Sequence, residues 1–125
     1  MAVSGPRARA LAVEVADTVT LAAMPGDGRE SMAATARGIL AGRDVELAQH
    51  VPVVGDLVAP FMASARDTDI AALRAEDSLL VLPADPAAAV EELRRRREEI
   101  GYSYVVVGSH AVDVMAPVVA ELAGR

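Results

Sequence analysis

The chain alternates between two hydrophobic patterns, short runs of β-branched residues and longer segments with apolar residues at helical spacing. The clearest pair lies near the C-terminus. There PAAAVEELRRRREEI predicts a helix with Asp85 as N-cap that ends at Gly101, and YSYVVVGS predicts a strand buried on both faces. Strands that alternate with helices favour right-handed βαβ crossovers, which build a parallel sheet. The sequence therefore predicts an α/β fold of parallel βα units.

The same alternation extends along the rest of the chain. Proline and glycine positions and apolar spacing predict helices over 6–16, 28–41 and 110–124 and strands over 18–23 and 44–54. Pro52 predicts an irregular or terminal strand position, and Pro117 a kink in the last helix. The stretch 57–82 is predicted as two short helices and a brief strand. No low-complexity linker interrupts the pattern, so residues 1–125 are predicted to form a single domain.

Net charge and amino-acid composition exclude several classes of partner and of catalytic chemistry. A net charge of −6 argues against nucleic acid or an anionic membrane as the main partner. All 12 basic residues are arginine, which excludes lysine-based Schiff-base chemistry and the lysine of a Walker-type phosphate loop. The absence of cysteine excludes disulfides and thiol nucleophiles, and two histidines without a supporting cluster predict no metal site.

The N-terminal segment does not read as a targeting signal. Arg7, Arg9 and Glu14 interrupt its apolar residues within the first two helical turns. No uncharged run approaches the ~20 residues that a membrane span needs. We therefore expect a cytoplasmic protein with no membrane partner.

Two candidate sites follow the short apolar strand tip at Ala2 and Val3 and the predicted strand at 18–23, since parallel α/β folds bind ligands at the carboxyl ends of strands. The turn Val3, Ser4 and Gly5 offers free amides and a hydroxyl that could hold a phosphate or the edge of a planar cofactor. A plain helix cap is the alternative. After the second strand, Arg29 offers a bidentate phosphate clamp. A solvated turn is the alternative there, because Asp27 would repel a phosphate.

Two further candidates follow the later strands. Gly55 and Asp56 offer a carboxylate to a ligand, with a helix cap as the alternative. Ser109 and His110 follow the most convincing strand, where the imidazole could act as acid, base or donor to a cofactor, or could simply begin a helix. His50 lies within a strand and is predicted to be buried and hydrogen-bonded rather than a ligand.

The arginine run in EELRRRREE is basic enough to suggest nucleic-acid binding, but the positions of its glutamates argue against that function. Oppositely charged side chains recur four residues apart along the predicted helix, pairing Glu91 with Arg95, Glu92 with Arg96, and Arg94 and Arg95 with Glu98 and Glu99. The pattern predicts a self-neutralising, solvated helix face.

Two long segments resemble luciferase-like oxidoreductases. AVSGPRARALAVEVADTVTLAA resembles the part of that family in which a barrel strand ends in a small-residue turn before a helix. LLVLPADPAAAVEELRRRREEIGYSYVVVGSHAVDVMAPVVAELAGR resembles the family's C-terminal end, and the match is to its deazaflavin (coenzyme F-420) branch. The resemblance implies the C-terminal portion of a TIM (β/α)8 barrel, about strands 5 to 8, because a whole barrel needs about 250 residues.

The resemblance also implies cofactor-binding residues. The family's small-residue turn lies against a deazaflavin or flavin and its ribityl-phosphate arm, and it matches Ala2, Val3, Ser4 and Gly5. Some relatives supply a threonine and a lysine to the phosphate from the loop after strand six, whereas this chain has LAAMPGDG. Arg29 is the candidate substitute for that contact, and His110 is a further candidate.

The implied function is a luciferase-like oxidoreductase or monooxygenase that moves hydride between coenzyme F-420, or alternatively FMN, and a small organic substrate. The family's substrate-protonating residues come mostly from the first half of the barrel and have no counterpart here. The alternative is a non-catalytic barrel remnant that acts as a dimerisation or partner-binding module, because a half-barrel leaves two strand edges and an inner face uncovered. Both hypotheses predict a homo-oligomer or a missing N-terminal half-barrel.

Overall fold

The computed structural model describes residues 2–3, 5–21, 28–42, 45–63 and 69–123. These residues form a mixed α/β fold with a parallel sheet and six α-helices. The strands are β1 (Ala2–Val3), β2 (Thr18–Leu21), β3 (Glu46–Val51), β4 (Val53–Val54), β5 (Leu57–Val58), β6 (Val81–Leu82) and β7 (Tyr102–Val107). The helices are α1 (Pro6–Val15), α2 (Arg29–Gly42), α3 (Pro60–Ala63), α4 (Ile70–Ala75), α5 (Pro86–Glu99) and α6 (Val112–Leu122).

Local sequence explains where α5 begins and ends. The Asp85 side chain accepts a hydrogen bond of 2.9 Å from the Ala88 amide, and Pro86 occupies the first turn. Gly101 follows the helix with φ of +105°, a conformation that glycine adopts without strain. The predicted bounds of α5 are therefore confirmed.

The main sheet has the strand order β1-β2-β3-β7, and every neighbouring pair is parallel. Its strands thus lie side by side in the order in which they occur along the chain. α1 and α2 pack through Ala12 and Ala36 against β2 and the start of β3. α5 and α6 pack through Leu93 and Met115 against β7 and the end of β3. The helices that make the two main cores therefore cover the same face of the sheet.

β3 ends before Pro52, as the sequence predicts, and a second, smaller sheet follows. Its order is β5-β4-β6, with β4 antiparallel to β5 and parallel to β6. The Pro52 carbonyl leaves the main ladder and accepts a hydrogen bond of 2.8 Å from the Ala59 amide. Within 57–82 the expected short helices and brief strand are present as α3, α4 and β6, whereas Leu57–Val58, expected to be helical, forms strand β5.

Among the described residues, no helix of the two main cores covers the other face of the main sheet, although Ala48 on it is buried. We call it the open sheet face and define it by the residues that the pairing register places on that side, Thr18, Thr20, Glu46, Ala48, His50, Tyr104 and Val106. Tyr104 is 53% exposed and Val106 is 42% exposed, so the prediction that β7 is buried on both faces is wrong. His50 is also exposed, contrary to prediction, and its ring centroid lies 5.9 Å from that of Phe61. The physical reason is that the helices pack on the opposite face.

The described strands do not close into a barrel. Within the same part of the chain, no helix combines the length and the apolar character needed to cross a bilayer.

Candidate functional site

The carboxyl end of β1 leads directly into α1 through Gly5. Gly5 is the N-cap of α1 with φ of −81°, and no side-chain cap is found among the described residues. Pro6 has no N–H, so the uncapped donors of this first turn are the amides of Arg7 and Ala8. A Cβ built on Gly5 meets nothing within 4 Å. The space beside this turn is therefore open, while Ser4 and the side chains of Ala2 and Val3 lie outside the described atoms.

The carboxyl end of β7 carries His110 in the short 3₁₀ turn Ser109–Ala111. The His110 Nε2 lies 3.1 Å from the Pro52 carbonyl oxygen. Because a carbonyl only accepts, Nε2 carries the proton in this arrangement, and Nδ1 is the acceptor in the neutral ring. A Cβ on Gly108 would lie 2.6 Å from Nδ1. Glycine at 108 therefore lets the ring fold back and tie β7 to the break after β3.

A cavity of about 420 Å³ opens between the start of α2, the middle of α5 and the carboxyl ends of β4 and β6. We call it the arginine cavity; its charged wall is Arg29, Arg74, Asp77 and Glu92, and the turns at 55–56 and 83–84 complete it. The structure thus places two sequence-predicted sites, Arg29 and Gly55–Asp56, in one cavity.

Arg29 is held by two carboxylates rather than facing solvent as a free clamp. Its Nε lies 2.9 Å from Asp77 Oδ2, and its Nη2 donates to Asp77 Oδ1 and to Glu92. The Nη1 atom is buried and has no acceptor among the described residues. A ligand would therefore contact Arg29 only by displacing one of these carboxylates.

Arg74 is the second arginine of the charged wall of the arginine cavity. Its Nη2 donates to the Gly55 carbonyl and lies 2.8 Å from Asp56 Oδ1. Asp56 is thus paired with a neighbouring side chain, and the predicted role of its carboxylate as a ligand acceptor stays a prediction.

Arg96, which its charge spacing predicts to be solvated, is the largest fully buried side chain described. Its guanidinium donates to Gln49 Oε1 at 3.1 Å and to the carbonyls of Leu79 at 3.0 Å and Val81 at 2.8 Å. Its Nε donates to Glu92 at 2.9 Å. The Arg96 guanidinium therefore links α5 to β3, to β6 and to the segment just before β6.

The prediction of a solvated face on α5 is wrong for Arg96, which is 1% exposed. Arg96 follows Ala89 by seven residues and Leu93 by three, and both of these residues are buried. That spacing places it on the apolar stripe of α5 and is the pattern that could have identified it. The neighbouring pair of Arg95 with Glu99, at 2.9 Å, does lie on the exposed side as predicted.

Glu92 bridges Arg29 and Arg96 and is the charge centre of this network. Burial by itself raises the pKa of Glu92, but the hydrogen bonds and charges of Arg29 and Arg96 outweigh it and hold the pKa below the ordinary value of 4.5. For Arg96, burial lowers the pKa, and Glu92 opposes that effect. The Glu92 carboxylate is therefore ionised when it joins α2 to α5.

Replacing Glu92 by glutamine should remove a pH-dependent part of the stability. Because the folded-state pKa is depressed, ionised Glu92 stabilises the fold fully above the ordinary pKa of 4.5. That contribution is lost as the pH falls through the folded-state pKa. Urea unfolding at several pH values should therefore show a difference between wild type and Glu92→Gln that is largest above the ordinary pKa of 4.5 and shrinks as the pH falls below it.

Glu91→Gln is the matched control for this prediction, because Glu91 is exposed one residue earlier on α5. It should change the free energy of unfolding by less than about 0.5 kcal/mol. A constant difference between wild type and Glu92→Gln across the pH range would contradict the ionised bridge.

The predicted site residues fall into separate places. Gly5 and His110 follow the two outermost strands of the main sheet, about 14 Å apart at three interstrand spacings. Arg29 lies in the arginine cavity instead. Among the described residues, no three His, Asp or Glu side chains cluster as metal ligands would.

Comparison of the chain with family models, with curated proteins and with solved structures finds no match. The assignment of a function therefore rests on the geometry and chemistry of the residues described above.

Proposed function

We propose that this chain is the C-terminal half of a luciferase-like oxidoreductase, and that its strand ends help to bind coenzyme F-420, with FMN as the alternative. The observation that carries the proposal is the main sheet itself. Four parallel strands lie in chain order, and the helices of both main cores pack on one face, as in one half of a (β/α)8 barrel. In such folds the ligand binds where the strands end.

The turn after β1 is the proposed primary contact, through Ala2, Val3, Ser4 and Gly5. The uncapped amides that follow Gly5 suit an anionic or carbonyl oxygen of the cofactor. The open space beside Gly5 would admit a planar ring or its phosphate arm close to the backbone. This donor set fits the cofactor class without any lysine.

His110 and Arg29 are proposed as secondary contacts. The ring of His110 is fixed by the Pro52 carbonyl, and its other nitrogen, Nδ1, packs beside Gly108 and would accept from a ligand that reaches this turn. Arg29 is committed to Asp77 and Glu92 and its Nη1 is buried, so a phosphate would contact it only by displacing one of these carboxylates. Both residues would orient and neutralise rather than react.

When bound, the cofactor would supply the hydride chemistry with a small organic substrate. The chain's own residues would hold it in place, with backbone amides at the start of α1 and the imidazole of His110 at the far end of the strand edge.

Replacing Gly5 by valine should weaken cofactor binding at least tenfold while leaving the fold intact. The backbone at Gly5 has a negative φ and a Cβ at this position meets nothing within 4 Å, so the variant should fold. It would instead fill the space proposed for the cofactor. Fluorescence titration of the purified chain with coenzyme F-420 and then FMN measures the change.

Gly38→Ala is the matched control, because Gly38 lies on the exposed side of α2 and its Cβ also meets nothing within 4 Å. It should bind like wild type. Equal affinities for wild type and Gly5→Val, or no binding to either cofactor at tens of micromolar, would refute the proposed site.

A second candidate function is a non-catalytic module that associates with a partner. The exposed Tyr104 and Val106 on the open sheet face favour it, because apolar patches on soluble proteins mark interaction sites. The titration separates the two candidates, since this module needs no cofactor.

A further inference from the structure

We infer that two copies of this chain dock through their open sheet faces and close a common barrel-like sheet. Each copy would place β1 beside the partner's β7 and β7 beside the partner's β1. The inference rests on the sheet and its surroundings and does not depend on cofactor binding.

The two edges of the main sheet are mutually complementary. β1 and β7 are its outermost strands, and both run parallel to their neighbours. A two-fold axis along the strand direction brings the β1 edge of one copy against the β7 edge of the other, again in parallel. Both edges are thereby used and none is left free, which is how closed sheets remove unpaired edges.

The open sheet face has the chemistry of a buried surface. Its side chains include one carboxylate, Glu46, which accepts a hydrogen bond of 3.1 Å from Thr18, and no arginine, although 24% of the chain is charged. Parallel sheets occur almost only with both faces covered. Facing copies would bury Tyr104 and Val106 against each other's strands.

The helices beside the two edges are also apolar on their outer sides. Leu11 is 49% exposed and Val15 is 64% exposed on α1, which follows β1. Val112 and Val119 are each 55% exposed on α6, which follows β7. When β1 and β7 of different copies meet, α1 of one copy approaches α6 of the other, so these pairs can cover each other. This contact matters because β1 contributes only two residues to each strand pairing.

The chain exposes 7201 Å², which is more than the about 6,300 Å² expected for a compact monomer of 13.0 kDa. An open sheet with two unpaired edges has more exposed surface than a closed one.

The test is the solution mass of wild type, Tyr104→Arg and Leu57→Arg by light scattering and sedimentation equilibrium. Wild type should have twice the chain mass, and Tyr104→Arg should weaken the dimer at least tenfold, because it places a charge in the closed face. Leu57 is 38% exposed on β5 and lies outside the proposed interface, so Leu57→Arg should leave the dimer unchanged.

Val15→Arg provides an independent test on the helical flank and should also weaken the dimer. Circular dichroism confirms that each variant is folded. A monomeric wild type at about 100 µM, or a dimer that resists both Tyr104→Arg and Val15→Arg, would overturn the inference.

Discussion

Replacing Arg96 by alanine should lower the free energy of unfolding by about 3–5 kcal/mol, the range seen when one partner of a buried charge pair is removed. The variant loses the hydrogen bonds to Gln49 and to the carbonyls of Leu79 and Val81, which lie where water has little access. It also leaves Glu92 with Arg29 as its remaining hydrogen-bonded cation. Unsatisfied buried acceptors and a cavity act in the same direction.

Urea unfolding of wild type, Arg96→Ala and Arg94→Ala measures this effect. Arg94 lies on the exposed side of the same helix, 3.4 Å from Glu121, so its replacement should cost less than about 1 kcal/mol. Arg96→Met should also destabilise, because it restores volume but not the donors. A loss below about 1 kcal/mol for Arg96→Ala would show that the network does not hold the core together.

Replacing Gly55 by alanine should lower the free energy of unfolding by about 2–4 kcal/mol. Gly55 has φ of +58°, a conformation that costs an L residue about 1–2 kcal/mol. The new Cβ would also lie 2.5 Å from the Ala84 Cβ, so the turns at 55–56 and 83–84 would have to separate. The arginine cavity should deform with them.

The double variant Gly55→Ala, Ala84→Gly separates the backbone strain at residue 55 from the contact between the two Cβ atoms. It removes the contact and keeps the backbone strain, so it should regain part of the loss, and the double-mutant cycle should show coupling. Gly38→Ala, on an exposed helical site, should stabilise by about 0.5–1 kcal/mol. Strictly additive effects of the two substitutions would contradict the close approach of the two turns.

The elements set by local chemistry could be predicted from the sequence. Asp85, Pro86 and Gly101 act within a few residues of themselves, so the bounds of α5 follow from capping and proline geometry. The break between β3 and β4 follows in the same way from the missing N–H of Pro52. The parallel sheet follows from alternation of strands and helices.

Features that depend on distant parts of the chain could not be predicted as readily. The partners of Arg29, Asp77 and Glu92, lie 48 and 63 residues away in sequence. The local sequence before Arg29 offers only Asp27 as a carboxylate partner, so the distant pairs cannot be read from it. Arg96 was misjudged because its charge pair with Glu92 has the spacing of a surface pair, although its position along α5 is that of a core residue.

The exposure of β7 was missed for a different reason. A continuous apolar run indicates burial on both faces, and the sequence pattern does not say which chain supplies the cover. In this molecule the helices cover one face and leave Tyr104 and Val106 exposed. The same pattern that misled the prediction of burial supports an interface.

Hydrogen exchange of the chain with and without coenzyme F-420 tests the proposed function most directly. We expect slower exchange at the amides of Arg7 and Ala8 and within Gly108–Ala111. These segments follow the carboxyl ends of β1 and β7, where the cofactor is proposed to bind. Exchange in the turns of the arginine cavity at 55–56 and 83–84 should be unchanged. Protection confined to the arginine cavity, or no protection at a saturating cofactor concentration in a folded sample, would contradict binding at the strand ends.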